Sequence, residues 1–176
     1  RFNGSTGGAY QVFLGWPLAG YFSLGMLFPF AHQRIKAYQH NNSAFGTSPF
    51  RFSAEPGAFY VVYLKMIGLA FIPAFLLGLL AAVFNVFGDM AGAGKDPVQM
   101  QKAMATLLMG VMAFYLILFL VIGPWFAARM QNLVWNHTAL GRHTFVSCVR
   151  ARDLFVIYLT NFIAIILTLG LFKPFA

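Results

Sequence analysis

Residues 59–87 read FYVVYLKMIGLAFIPAFLLGLLAAVFNVF, a continuous apolar run whose only charge is Lys65. A helix needs about 20 such residues to cross ~30 Å of hydrocarbon. Three other stretches approach or exceed that length: Ala9–Phe30, Val98–Ala128 and Leu154–Phe175. The second and third of the four runs are long enough to tilt or to protrude from a bilayer. Between them lies GDMAGAGKDP, Gly88–Pro97. Its Gly, Asp and Pro end one helix, Asp96 is placed to cap the next, and Pro97 falls in that helix's first turn. The two long runs are therefore predicted to form an antiparallel helical hairpin.

Composition agrees with this reading. Of 176 residues, 60% are hydrophobic and 9% charged, whereas a soluble domain averages roughly 45–50% and about 25%. Such a chain is too apolar for a soluble domain, a disordered polymer or a disulfide scaffold. The 18% aromatic share, with 21 Phe, suits lipid-facing and interfacial surfaces. The formal charge is +8, from 12 Lys+Arg against four Asp+Glu. Because the basic residues sit mainly between the apolar runs, they point to topology and anionic headgroups rather than to nucleic acid. The single Cys148 excludes an internal disulfide and a multi-cysteine metal site. The sequence opens on Arg1 with no signal-like segment, and is expected to be part of a longer protein.

Basic residues accumulate on the cytoplasmic side of a membrane. Connection 31–58 carries Arg34, Lys36 and Arg51 against Glu55, and connection 129–153 carries Arg129, Arg142, Arg150 and Arg152 against Asp153. The turn 88–97 has Lys95 against Asp89 and Asp96. Both connections are expected to face the cytoplasm and the turn to face outward.

The chain also matches itself. At a shift of 95, Pro29, Arg34, Asn41, Ala44, Gly46 and Phe50 fall on Pro124, Arg129, Asn136, Ala139, Gly141 and Phe145. Val61, Tyr63 and Leu64 continue that register onto Val156, Tyr158 and Leu159, giving repeat units of about 29–67 and 124–162. A shift of 50 sets Arg1-Phe2, Gly7, Tyr10 and Val12 on Arg51-Phe52, Gly57, Tyr60 and Val62. A shift of 145 sets Leu24-Gly25 and Pro29-Phe30-Ala31 on Leu169-Gly170 and Pro174-Phe175-Ala176. The implied module is a strand-like lead-in, an apolar helix, a Pro-aromatic stop and a basic amphipathic exit such as Ala31–His40. Phe50-Arg51-Phe52-Ser53 alternates as a short strand. The repeat puts related units at both ends of the first run, so two paths are open to it. Single crossing is the expectation from its length. Re-entry, with a break at Gly15-Trp16-Pro17 or Gly20, is the alternative, as it is at Thr168-Leu169-Gly170 in the last run.

The pattern Pro29-Phe30-Ala31 with Arg34, Asn41 to Gly46, and Phe50-Arg51-Phe52 resembles the YjgN-like family of bacterial inner-membrane proteins. So do Asn136-His137-Thr138-Ala139-Leu140-Gly141 leading into Thr144-Phe145, and Tyr158-Leu159-Thr160-Asn161 with the closing Leu167 to Gly170. The likeness covers most of the chain apart from Gly88–Pro97. It implies a bacterial membrane protein, and the family's function is unknown. Two positions depart from the internal pattern: Lys173 stands where the first copy has Phe28, and Ala127-Ala128 replace His32-Gln33.

None of the four acids, Glu55, Asp89, Asp96 and Asp153, lies mid-run, which argues against proton-coupled transport. Lys65 lies six residues into its run, about 9 Å at helical rise. It is a candidate for anion or headgroup contact, with snorkelling as the plainer role. Asn85 and Asn161 are the other polar residues within runs and complete the binding candidates. Arg34, Lys36, Arg129 and Arg142 are expected at headgroups. His40, His137 and His143 are weak metal candidates, since a site wants three or four ligands, and Asn41 and Asn136 are expected to cap turns. No phosphate loop or nucleophile-base pair is present, so neither catalysis nor a cofactor is expected. The fold expected is an all-α membrane domain of about four apolar helices with short cytoplasmic strands. Its expected role is permease-like or lipid-handling, with an accessory or scaffold subunit as the alternative. Membrane lipids and other membrane subunits are the expected partners.

Overall fold

The computed structural model describes residues 1–83 and 97–173, so Asn85 and nearly all of the predicted turn 88–97 lie outside the described residues. In chain order the elements are α1 (Thr6–Tyr10), a π turn (Gln11–Gly15), α2 (Trp16–Phe22), α3 (Phe28–Asn41), β1 (Ala44–Phe45), β2 (Ser48–Phe52), α4 (Pro56–Val83), α5 (Pro97–Asn136), β3 (Thr138–Leu140), β4 (His143–Thr144) and α6 (Ala151–Leu167). Among the described residues two helical spans, rather than the four expected, are long and apolar enough to cross a membrane: Pro56–Leu76 and Leu108–Asn136. These suggest membrane association.

The first apolar run corrects the expectation of a single crossing. The helix continues to Phe22, reverses through residues 23–27, and α3 runs back against α2 and the π turn. Its two ends meet. Ala44 N donates to Arg1 O (2.8 Å) and Asn3 N donates to Asn42 O (2.7 Å), with Phe2 bridged to Ser43. The break also falls later than Gly15-Trp16-Pro17 or Gly20. Pro17 has no N–H to leave unpaired and sits in the first turn of α2, directly after the π turn. Ser23 is the residue that ends the helix: its Oγ donates to Gly20 O (2.9 Å) and accepts from Leu27 N (3.0 Å). Leu24 and Gly25 then take left-handed φ of 54° and 90°. A Cβ at Gly20 would lie 2.7 Å from the Phe28 ring, so a larger residue there would force that ring to move.

The last run ends in the same turn. Thr168 Oγ1 donates to Ala164 O (2.7 Å) and accepts from Phe172 N (3.0 Å), and Leu169 and Gly170 have φ of 50° and 92°. At 17 residues, α6 is only about 26 Å long. Neither proline of the expected Pro-aromatic stop ends a helix: Pro29 stands in the first turn of α3, and Pro124 is carried inside α5, which is continuous to Asn136.

The short strands pair into a four-stranded antiparallel sheet in the order β1-β2-β3-β4. The two hairpins share one register. Ala44 faces Pro49 and Phe45 faces Ser48, as Ala139 faces Thr144 and Leu140 faces His143. Gly46 and Gly141 turn them at φ of 59° and 58°. Each hairpin is tied to the helix before it by an asparagine. Phe52 N donates to Asn41 Oδ1 (2.8 Å), and Ser147 N donates to Asn136 Oδ1 (2.6 Å).

The chain divides into two compact units, Arg1–Lys65 with Trp125–Leu154, and Met66–Pro124 with Phe155–Ala176. The core lies in the first, where Ala54, Met130 and Val134 close around fully buried Phe59, flanked by Phe52, Tyr63 and Phe126. Burying Phe59 contributes about 2–3 kcal/mol. The second unit exposes large apolar side chains along its helices, among them Phe71, Phe75, Met109 and Phe119, a surface suited to lipid or to another polypeptide.

Candidate functional site

Toward its end, α5 places Arg129, Asn132, Leu133 and Asn136 at i, i+3, i+4 and i+7, one face of a helix. On α4, Val61, Val62 and Lys65 form the facing wall. Together with Trp125 and His137 these residues line a groove of about 370 Å³ in the first unit. Lys65 and Arg129 are both exposed, and neither is paired with a carboxylate among the described residues. The Arg129 guanidinium lies 6.0 Å from the Trp125 ring centre. That contact orients the cation while leaving its N–H edges for a ligand.

Polar groups complete the lining. Asn132 is committed to the backbone, accepting from Val149 N (2.9 Å) and donating to Val149 O (2.9 Å). His137 Nδ1 donates to Leu133 O (2.8 Å). The groove can thus offer an anion two cations of different character. Arg gives a planar fork matched to phosphate oxygens, and Lys gives a mobile point charge.

The other predicted residues are distributed. Arg34 lines a separate groove of the same unit, its guanidinium 4.8 Å from the Phe30 ring centre. Lys36 borders a cleft beside His32 and Trp135. Arg142 and His143 are exposed at the β3–β4 turn. His40 is stacked on Phe52 at 5.5 Å and set edge-on to Trp135. Among the described residues, no three His, Cys, Asp or Glu side chains are grouped to hold a metal. Asn161 is half-buried on α6 in the second unit, so the site that can be described is that of Lys65, Arg129 and His137.

Sequence reasoning missed Trp125 and Asn132. The signal for Trp125 was present, because an aromatic stands four residues before the arginine in both repeat-related segments: Phe30 before Arg34, Trp125 before Arg129. His32 also has a role that its sequence position did not signal. Its Nδ1 is 3.1 Å from Tyr63 Oη, and burial, followed by the Lys36 charge, pulls its pKa down to about 4. This half-buried imidazole is therefore neutral at physiological pH.

Over residues 1–176 the sequence matches the family described as "Bacterial protein of unknown function (DUF898)". The chain belongs to this family. It is the YjgN-like family. Neither a curated protein nor a solved structure matches the chain.

Proposed function

We propose that this chain is a multi-pass protein of the bacterial inner membrane, built from repeated helix modules, that handles anionic lipids without catalysing a reaction. The observation that carries this reading is the pairing of Lys65 and Arg129 in one groove, with no carboxylate partner among the described residues. Lys65 stands near the start of the α4 apolar span, the depth at which a lysine reaches headgroups. Basic connections 31–58 and 129–153 are assigned to the cytoplasmic face and turn 88–97 to the outer face, following the charge bias.

The decisive experiment is gentle extraction from native membranes, followed by mass spectrometry of everything retained. Retained anionic phospholipid, reduced about tenfold in Lys65→Gln/Arg129→Gln, is the expected result; a tenfold loss corresponds to ~1.4 kcal/mol. A stoichiometric protein partner with no retained lipid would replace this reading by the accessory-subunit one, which the exposed apolar side chains of the second unit favour.

A further inference from the structure

The groove around Arg129 has a counterpart. Arg34, Ala37, Tyr38, Asn41 and Asn42 line a second groove, of about 430 Å³. A shift of 95 carries them onto Arg129, Asn132, Leu133, Asn136 and His137. Each arginine lies against the aromatic ring four residues before it, Phe30 or Trp125. The facing walls correspond as well, since Gln11 and Val12 become Val61 and Val62 at a shift of 50. The hairpins that follow the two arginine-bearing helices have the same strand register and the same asparagine tie.

One position differs, and the backbone explains why. In α4 the wall residue one turn beyond Val61 is i+4, Lys65. The π turn Gln11–Gly15 widens that step to i+5, so the wall residue beyond Gln11 is Trp16. An aromatic ring thus stands where the other groove has an ammonium. Arg34, like Arg129, is exposed and has no carboxylate partner among the described residues.

Resting on the lipid-handling reading, we propose that the Arg34 groove is a second phospholipid headgroup site. Its guanidinium takes the phosphodiester and Trp16 borders the headgroup, so it carries one cation where its counterpart carries two. Trp suits that place because its ring sits comfortably at the boundary between hydrocarbon and headgroups. The two sites should therefore differ in charge preference, with a singly charged phosphodiester sufficient at Arg34.

The test is native mass spectrometry of the full chain, in micelles of a neutral detergent titrated with phosphatidylglycerol. Wild type should hold two lipids, Arg34→Gln and Arg129→Gln one each, and the double variant none, with helical content by circular dichroism unchanged. Should Arg34→Gln fail to fold, Arg34→Lys serves instead and should weaken one site without abolishing it. Trp16→Lys should raise affinity at that site ~2–5-fold at low salt, the range of one exposed charge pair. Unchanged affinity would overturn the placing of Trp16 beside the headgroup. If Arg34→Gln keeps the wild-type count while Arg129→Gln loses a lipid, the second site is refuted and the lipid-handling reading stands. Should neither variant change the count, both fall. If excess inorganic phosphate displaces the lipids, the grooves are free-phosphate sites and the lipid assignment is overturned.

Discussion

The carbonyl of Ala54 is buried where the chain leaves β2, and Gln33 Nε2 donates to it at 2.9 Å. At a shift of 95 the corresponding carbonyl is that of Val149, and Ala128 replaces Gln33. Asn132, one turn further along its helix, donates to that carbonyl instead. The same backbone demand is thus met from two rungs of equivalent helices, and Ala37 occupies the vacant rung in the first. Gln33→Ala should cost about 1–3 kcal/mol, the penalty of a stranded buried acceptor, and Ala37→Asn should restore at least half of it. Melting of the two variants in detergent checks this, and the absence of rescue would show that the rungs are not equivalent. At this scale the sequence was partly legible. Lys65, Arg34 and Arg129 stood out as charges beside apolar runs. Trp125 and Asn132 did not, because an aromatic or an amide near a helix end has many ordinary roles until its neighbours across space are known.

Helix ends were harder to place than helices. Pro17 and Gly20 are strong breakers by composition, yet the first helix runs through both and turns at Ser23. Breaking depends on who satisfies the freed backbone groups, and a hydroxyl that both donates and accepts does this better than glycine alone. Leu24 pays for that turn with a left-handed conformation, as Leu169 does. Both side chains are 96% exposed, so packing does not hold them there. Leu24→Gly should therefore stabilise by about 1 kcal/mol, and Ser23→Ala should destabilise by a similar amount through its two lost bonds. Hydrogen exchange at the Leu27 amide separates the cases, slower in the first variant and faster in the second. Equal exchange in both would remove Ser23 from this role. The strands were legible from the alternation at Phe50–Ser53, and their partners were not, because pairing joins residues far apart in sequence.

For the molecule as a whole, charge asymmetry and apolar run length identified a membrane-suited chain. They could not show that the first run doubles back, since a run's length does not record whether a turn lies inside it. The single cysteine offers a direct check of the proposed topology. Cys148 is free and exposed in the second basic connection. A membrane-impermeant maleimide should label it in inverted vesicles and leave it unlabelled in intact cells. Labelling in intact cells would reverse the proposed orientation. The sheet described above also has a consequence in time. Phe52 pairs with Thr138, 86 positions later in the chain. At a ribosomal pace of 5–20 residues per second, β2 waits roughly 4–17 s for its partner to be made. Both long helices are synthesised within that interval, so their insertion can precede closure of the sheet. Until then the Pro49 carbonyl and the Ser53 N–H lack the partners they later find in Gly141 N and His137 O, and a nascent chain stalled at this stage is the form most exposed to proteolysis and to wrong strand partners.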